Sequence, residues 1–531
     1  MNSGSSANEI YRNNFTNLYY GVTAVGINKS TALSANGIGL QLLCLNHQNN
    51  VWDNSVTTWG SQPGISAYQG SLLAPNYRTA DNTFSTISGT PCTDMFNYYN
   101  EGDDINYIGT NNAQFNPTLY DCNTILVDNS IATNTGCPSK SNLHKKLNAS
   151  ESHSIRLNLN ETINELENSK ILLNLITDGG NTNNVINAFV QSQPNQTQQL
   201  VNDLMNLSPN LSIPVLLRVA HEDDKLSPTL QMLILLANTQ GGKNKKIIDT
   251  LRNKQNPMDP AMIDFILDNR NNTSLKEKIE SKVATLTAEK DYLALVLIND
   301  LIEDTTGVDE DSILVLIDKM DTDEKYYMRI YKAIEDNDLS LCDSLYTMMD
   351  ETITEKYQRE DLESMAQIIE VEKALNTSNR TYHQLDNHEI ENLRTLATGE
   401  YANKGMIMAQ NILTNATGEE FKPLLKFPKI TEERRSNPRK SNNPDFLISH
   451  LFKLYPNPTK SQTNLSYVLL PGQKGIVTIS DSNGKVVYES ILSNEQSSLN
   501  IDLSNIAPST YFLNVMVDKV VKYSETLVVR N

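Results

Sequence analysis

The chain lacks any run of about 18 or more apolar residues, so no segment is expected to cross a bilayer as a helix. Its five cysteines are too few for a fold built mainly on disulfides. Basic residues are in the minority, because 44 Lys and Arg stand against 63 Asp and Glu, a net charge of −19. Nucleic acid and anionic membrane surfaces would repel such a chain and are excluded as main partners. With 39% apolar residues, packed cores are nevertheless expected.

Signatures of catalysis are missing as well. The sequence contains no Gly-x-Ser-x-Gly elbow, phosphate-binding loop, dinucleotide fingerprint or two-histidine zinc motif. His383 and His388 are five positions apart, which places them on different faces of a helix. The acidic runs 309–311 and 321–324 lack the central Gly and terminal Glu of a calcium loop. We therefore assign no catalytic residue, no metal ligand and no cofactor.

Charge divides the chain into three blocks. The first 140 residues hold only 4 basic and 9 acidic residues, the middle block holds 33 and 48, and the block from residue 451 holds 7 and 6. Composition changes of this kind are typical of domain boundaries. We predict a multidomain, mixed fold with a β-block at 1–140, a helical domain at 150–425, a linker at 426–453 and a small β-sandwich at 454–531.

The first block consists of short apolar pieces separated by Asn and Gly. Asn13-Asn14-Phe15 is followed by Gly21-Val22, and looser echoes occur later. Asn and Gly tolerate the left-handed backbone that corners between strands require. This recurrence resembles the repeats of right-handed parallel β-helix, pectin lyase-like proteins, and residues 64–84 are similar to the last coils of surface β-helix proteins. The resemblance implies that residues 1–140 are terminal coils of a β-helix; an Asn-rich β-sandwich is the alternative.

The start of the chain bears on the same point. Residues 1–26 have no basic n-region, continuous apolar region or small-residue cleavage site of a secretory signal. A few stacked coils alone are marginally stable, because each coil needs neighbours. We expect the chain to be the C-terminal part of a longer protein.

Cysteine positions give one further expectation. Cys122 and Cys137 lie 15 positions apart in a loop-like stretch, so a disulfide between them is one prediction and free thiols are the other. Cys342 lies in a helical pattern and is expected to pack as a small apolar residue.

From about residue 150 to 420 the apolar period becomes helical. Helix starts are predicted where a capping residue precedes proline, as at Ser208-Pro209, Ser227-Pro228 and Asp259-Pro260, with Ser212 close to this form. The stripe that begins at Tyr326-Tyr327 is expected to be core. The pattern predicts antiparallel helical hairpins, arranged either as an α-solenoid-like array or as an irregular spacer.

The last 80 or so residues alternate as short strands. Tyr455-Pro456-Asn457-Pro458 opens the segment, residues 481–485 form a hairpin turn with Asn-Gly, and Tyr511 begins a late strand. Turns at this spacing predict a small antiparallel sandwich.

These markers in this order resemble the C-terminal sorting domain of the type IX (Por) secretion system of Bacteroidetes-group bacteria. The motif residues are Tyr455, Pro456, Asn457, Pro458, Asp481, Gly484, Lys485 and Tyr511. The resemblance implies passage through the periplasm, recognition of the domain by the type IX machinery, and delivery to the outer surface or the medium. The sequence departs from the family at Ser509-Thr510, where Ser-Gly is usual, and at Glu525, where Lys is common. A plain adhesive sandwich is the alternative.

The leading hypothesis is therefore a non-enzymatic, adhesin-like or scaffold protein of the cell surface, with carbohydrate or other surface ligands as candidate partners. The rival is an extracellular carbohydrate-active β-helix enzyme, a polysaccharide lyase or hydrolase, with its active coils upstream. Asp103 and Asp104 are the acids on which that rival would be tested.

Overall fold

The computed structural model describes residues 9–25, 28, 39–57, 64–72, 78–86, 95–119, 125–137, 140, 146–193, 196–303, 307, 309–321, 324–352, 356–399, 403–422, 452–467, 469, 474–482, 484–493, 498–517 and 520–530. It divides into two compact units, residues 1–173 with 277–436 and residues 174–276 with 437–531. The domain limits expected from composition stay predictions, and most of the expected linker lies outside the described residues.

Short strands that pair in parallel open the first unit. They are β1 (Glu9–Tyr11), β2 (Asn14–Thr16), β3 (Tyr20–Val25), β4 (Gln41–Leu43), β5 (Asn46–Gln48), β6 (Trp52–Thr57), β7 (Tyr68–Gln69), β8 (Phe96–Asn100), β9 (Ile105–Thr110) and β10 (Ile125–Ile131). β1 pairs with β4 and β2 with β5, while β6 lies between β3 and β8, and β9 lies between β7 and β10.

The pairing register of the first strands is constant. Glu9 lies beside Gln41, Asn14 beside Asn46, and Tyr20 beside Trp52. Each partner is therefore 32 positions further along the chain, as are the partners of the hydrogen bond from Leu18 to Asn50. Residues 9–25 thus lie along residues 41–57 with one constant spacing, through three successive strand pairs.

Left-handed corners repeat with the same spacing. Arg12 and Cys44 have φ of 53° and 58°, and Asn17 and Asn49 have φ of 58° and 55°. Asp81 takes φ of 52° at the next corner, where the Cys44 amide donates to the carbonyl of Ala80 at 2.7 Å. A non-glycine residue at positive φ is uncommon, and Asn tolerates it best. The corners therefore explain part of the Asn enrichment.

A disulfide connects one of these corners to the end of the block. Cys44 is bonded to Cys137, 93 positions later in the sequence. The predicted Cys122–Cys137 pair is therefore wrong, and Cys122 lies outside the described residues. Closeness in sequence was misleading, because the chain before Cys137 returns to the corner at Asp81, which lies beside Cys44. There the Thr135 amide donates to Thr79 Oγ1 at 3.0 Å.

The helices follow from residue 149 and confirm the predicted helical array. They are α1 (Ala149–Ile176), α2 (Thr182–Gln191), α3 (Thr197–Leu207), α4 (Ile213–His221), α5 (Pro228–Ala237), α6 (Thr239–Lys243), α7 (Lys245–Asn253), α8 (Pro260–Asp268), α9 (Leu275–Ile302), α10 (Glu310–Asp318), α11 (Glu324–Glu335), α12 (Leu339–Thr352), α13 (Lys356–Thr377), α14 (Asn387–Ala397) and α15 (Lys404–Thr417).

Within the first unit, contacts join the strand block to helix α9. Tyr68 Oη donates to Glu280 Oε2 at 2.8 Å, and both residues are buried. The Lys140 ammonium lies 4.7 Å from the centre of the Tyr11 ring and 4.9 Å from that of Tyr292. Helices α11 to α13 share a core that contains Tyr327 and Cys342, whose thiol is free. The expected roles of the Tyr326 stripe and Cys342 in packing are confirmed.

Helix caps in the second unit test the proline rule. Ser227 and Asp259 cap α5 and α8, and Ser212 caps α4, as predicted. The prediction at Ser208-Pro209 is wrong, because Ser208 instead ends α3 and its hydroxyl donates back to the Leu204 carbonyl at 2.9 Å. Ser and Thr hydroxyls can also bond backward to the carbonyl four residues earlier, so the same residue type can end a helix.

The C-terminal strands are antiparallel, as predicted. They are β11 (Phe452–Tyr455), β12 (Gln462–Tyr467), β13 (Gly475–Ser480), β14 (Val486–Leu492), β15 (Ser498–Asp502), β16 (Ser509–Val517) and β17 (Val520–Val529). One sheet has the order β11-β12-β15 and the other β14-β13-β16-β17. Alternate residues of both sheets, among them Leu465, Val477 and Leu513, share one apolar core.

Candidate functional site

The opening motif of the C-terminal module hydrogen-bonds to the last strand, β17. The Asn457 side chain donates to the Thr526 carbonyl at 2.7 Å and to Glu525 Oε1 at 3.2 Å, and it accepts from the Val528 amide at 3.0 Å. An asparagine amide offers both donors and an acceptor, so it can bond a strand edge as another strand would. Asn457 therefore covers the edge of β17 at residues 526–528.

The residues around Asn457 add further hydrogen bonds to the end of β17. The Thr459 amide donates to the Val528 carbonyl at 2.9 Å, and the Arg530 amide donates to the Thr459 carbonyl at 2.8 Å. The Pro456 carbonyl accepts from Thr463 Oγ1 at 2.9 Å, while the Tyr455 ring is 44% exposed. Pro456 and Pro458 both follow cis peptide bonds. The motif is thus a structural closure of the sandwich, with one exposed aromatic ring.

The second marker forms a closed hairpin turn between β13 and β14. The Asp481 amide donates to the Lys485 carbonyl at 3.0 Å, and Asp481 Oδ1 accepts from the Lys485 amide at 3.0 Å. Gly484 has φ of 81°, a conformation that favours glycine. These bonds account for the Asp and Gly of the marker by backbone geometry.

Tyr511 is buried, and its hydroxyl donates to the Ala507 carbonyl at 2.7 Å, four residues earlier. This arrangement is similar to the tyrosine corner of β-sandwiches. Tyr511 also lies opposite Leu527 on β17, between Thr526 and Val528, whose backbone groups bond Asn457. The first and third markers therefore meet on the last strand. Ser509 and Thr510, where the sequence departs from the family, pair with Val529 and Val528 of β17.

The electrostatics of this module are modest. Burial raises the pKa of Tyr467, whose hydroxyl donates to the Ser493 carbonyl at 3.2 Å. Hydrogen bonds from Ser504 lower the pKa of the exposed Asp502 carboxyl. A module of this kind offers shape, strand edges and exposed side chains to a partner.

A second polar cluster lies in the strand block around Asp53, whose side chain is 0% exposed. Its carboxylate accepts from the Ser85 amide at 2.8 Å, Ser85 Oγ at 2.7 Å, Asn97 Nδ2 at 2.9 Å and Asn50 Nδ2 at 3.2 Å. Four donors around one carboxylate compensate for its burial. The cluster holds successive passes of the chain together and is closed to solvent.

His47 lies beside this cluster and is also fully buried. Its ring stacks on Phe15 and Phe84, with centroid distances of 5.2 and 6.1 Å. Burial lowers the pKa of His47 despite the nearby Asp53 carboxylate, so the imidazole is neutral at pH 7. A neutral histidine between two aromatic rings is a packing element.

The acids set aside for the enzyme hypothesis lie on the chain between β8 and β9. Asp104 is buried, and the Asp103 carbonyl accepts from Asn100 Nδ2 at 2.7 Å.

A third acid of the block, Asp81, lies beside the disulfide. Asp81 Oδ1 accepts from Thr79 Oγ1 at 2.5 Å, and its carboxylate lies within 4.8 Å of the sulfurs of Cys44 and Cys137. Those sulfurs are bonded to each other in the disulfide, so neither is a free thiolate that could join the Asp81 carboxylate as a metal ligand.

Sequence reasoning missed the Asp53 cluster and the role of Cys44. A signal was present, because the segment that ends at Val25 can be aligned on the segment that ends at Thr57 with a shift of 32 residues. That alignment places Arg12 on Cys44 and Asn17 on Asn49, the pairs that share left-handed corners. The later passes have other lengths, and no single shift finds them.

In the described part of the chain, no helix is both long enough and apolar enough to span a bilayer. A search of curated proteins found no relative. Residues 453–530 match the family model described as the secretion system C-terminal sorting domain. The sorting-domain prediction is thus confirmed over this segment, where the chain carries the tail that directs secretion by the type IX system.

Proposed function

We propose that this protein is a non-enzymatic adhesin-like or scaffold protein displayed at the outer cell surface or released from it. Its N-terminal block would form coils of a right-handed parallel β-helix, followed by a helical spacer. The constant 32-residue register and the repeated corners support the β-helix assignment. The sorting tail at 453–530 supports the destination.

The observation that carries the non-enzymatic assignment is the closure of the Asp53 cluster. A general acid or base must reach the proton that it transfers. Asp53 and His47 have no exposed side-chain surface, and the described donors around Asp53 occupy both carboxylate oxygens. The Asp53 cluster therefore holds the block together and is not open to a substrate.

Two measurements test this proposal. Deletion of residues 454–531 should leave the protein in the periplasm, because the machinery then has no domain to recognise; intact-cell labelling and fractionation would show this. Delivery to the surface without the tail would contradict the assigned route.

The full chain should release neither reducing ends nor unsaturated uronates from a panel of polysaccharides, while binding to glycan arrays or cell surfaces is expected. Catalytic release that is lost in Asp103→Asn or Asp104→Asn would overturn the non-enzymatic assignment. Each variant should first be shown to keep the Trp52 fluorescence of the folded block, since Asp104 is buried.

A further inference from the structure

The two edges of the four-stranded sheet in the sorting domain differ. The end of β17 is covered by Asn457 and Thr459, which bond its backbone as a short added strand. At the other edge, β14 pairs with β13, and no other described strand pairs with it. An uncovered edge presents a row of backbone donors and acceptors to a further strand.

β14 is also long and apolar for an open edge. It has seven residues, and Val486, Val487 and Ile491 are 50%, 38% and 78% exposed. Proteins normally blunt such edges with short strands, Lys or Pro, and β14 contains neither Lys nor Pro. The edges of the other sheet are shorter, with four residues in β11 and five in β15.

An apolar row crosses the outer face of this sheet and ends at the β14 edge. Ile491 lies opposite Ile476, Ile476 opposite Met516, and Met516 opposite Val521. Directly opposed side chains of neighbouring strands interact on the same face. A strand added to β14 would therefore continue this row with an apolar residue opposite Ile491.

Glu489 lies two residues before Ile491 and points to the same face. Its carboxylate makes no hydrogen bond or ion pair with the described residues. It is also the middle residue of β14, so an antiparallel pair of two β14 strands centred there would place two carboxylates opposite each other. That repulsion disfavours a second copy of this chain and favours a strand with Lys or Arg at this position.

We propose that β14 is the docking edge of the sorting domain, to which an extended strand of the type IX machinery adds. The partner strand carries a basic residue opposite Glu489 and an apolar residue opposite Ile491. Main-chain hydrogen bonds supply affinity in such strand addition, and alternate side chains supply specificity. This inference rests on the sorting function and names the surface that serves it.

Export of the full chain in a type IX-competent bacterium tests the proposal. Glu489→Lys and Ile491→Lys should each lower the surface-exposed fraction about two- to fivefold, the effect of one unfavourable cross-strand pair, with protein accumulating in the periplasm. Lys522→Glu, an exposed charge reversal on β17, is the matched control and should be exported normally. Thermal unfolding of the purified variants should stay close to that of the unaltered chain, because both altered side chains are exposed and Ile491→Lys costs at most one cross-strand pair.

A photo-crosslinking amino acid at position 491 supplies the second measurement. It should form an adduct with a component of the type IX outer-membrane machinery, identified by mass spectrometry, and the same group at position 522 should not. An adduct of twice the chain mass would show self-pairing and overturn the proposal. Normal export of both Lys variants would also overturn it if deletion of 454–531 abolishes export in the same assay. If the deletion leaves export intact, the sorting function itself fails.

Discussion

The strand block and the sorting sandwich are both built from short strands, but they bury different things. The sandwich buries alternate apolar side chains between two antiparallel sheets, as Leu513 and Val515 illustrate. The block also buries polar side chains, and at Asp53 four donors meet one carboxylate. An apolar core needs only the right period, whereas a polar interior needs each partner in place. The comparison predicts that the two regions will fail in different ways.

The largest expected effect concerns the disulfide of the block. It closes a loop of 93 positions, so its loss in Cys44→Ser should lower the free energy of unfolding by up to about 4–5 kcal/mol. Denaturant unfolding followed by tryptophan fluorescence reports this region, because both tryptophans, Trp52 and Trp59, lie in the block. Cys342→Ala, which removes a free thiol, is the control. Equal midpoints with and without reductant would contradict a stabilising role for the bond.

The next effect concerns the apolar core of the sandwich. Leu513→Ala should destabilise the sandwich by about 2–5 kcal/mol, because Leu513 is fully buried and its removal leaves a cavity. Its neighbour Phe512 is 44% exposed, and Phe512→Ala should cost about 1 kcal/mol or less. Hydrogen exchange of the β13 and β16 amides in the full chain measures both. Similar losses of protection would mean that the two faces of β16 are not distinguished.

A third prediction compares carboxylates in the two regions. Asp53→Ala should destabilise the block by about 1–3 kcal/mol, since it strands the donors of Ser85 and Asn97 in the interior. Asp502→Ala removes an exposed carboxylate that accepts from Ser504 and should change stability by about 0.5 kcal/mol or less. Tryptophan fluorescence reports the first variant and hydrogen exchange of β15 the second. An effect of Asp502→Ala as large as that of Asp53→Ala would refute the contrast.

The smallest effect concerns one hydroxyl of the sandwich. Tyr511→Phe keeps the ring but removes the hydrogen bond to Ala507, which should cost about 1 kcal/mol. Tyr455→Phe is the control, because that ring is exposed and its hydroxyl accepts a long hydrogen bond from Asn464, at 3.3 Å. Protection of the β16 amides should fall in the first variant alone.

How much of this could be predicted follows from the same contrast. The sandwich strands were predicted from alternation, because one face of each strand meets an apolar core. In the helical region, Ser227 and Asp259 were identified by the proline that follows, whereas Ser208 was assigned to the wrong end of a helix. Local rules cannot decide between forward and backward bonding of a serine.

The strand block was harder to predict because its contacts join residues far apart in sequence. Cys137 was paired with the nearest cysteine, although the chain returns to the corner of Cys44. Asp53 looked like any acid in an Asn-rich stretch, since its partners Ser85 and Asn97 lie 32 and 44 positions later. The motif residues of the sorting domain were identified from the sequence, but the hydrogen bonds that they make were not. The sequence contains no sign that Asn457 bonds β17.

The bonds from Asn457 to Thr526 and Val528 have a consequence for biosynthesis. Asn457 is translated about 70 residues before its partners, so these hydrogen bonds cannot form until translation reaches Val528. A polypeptide that ends before residue 526, through a nonsense codon or proteolysis, lacks the backbone groups that Asn457 bonds. A truncated product would therefore carry a sorting domain that lacks this closure at the end of β17.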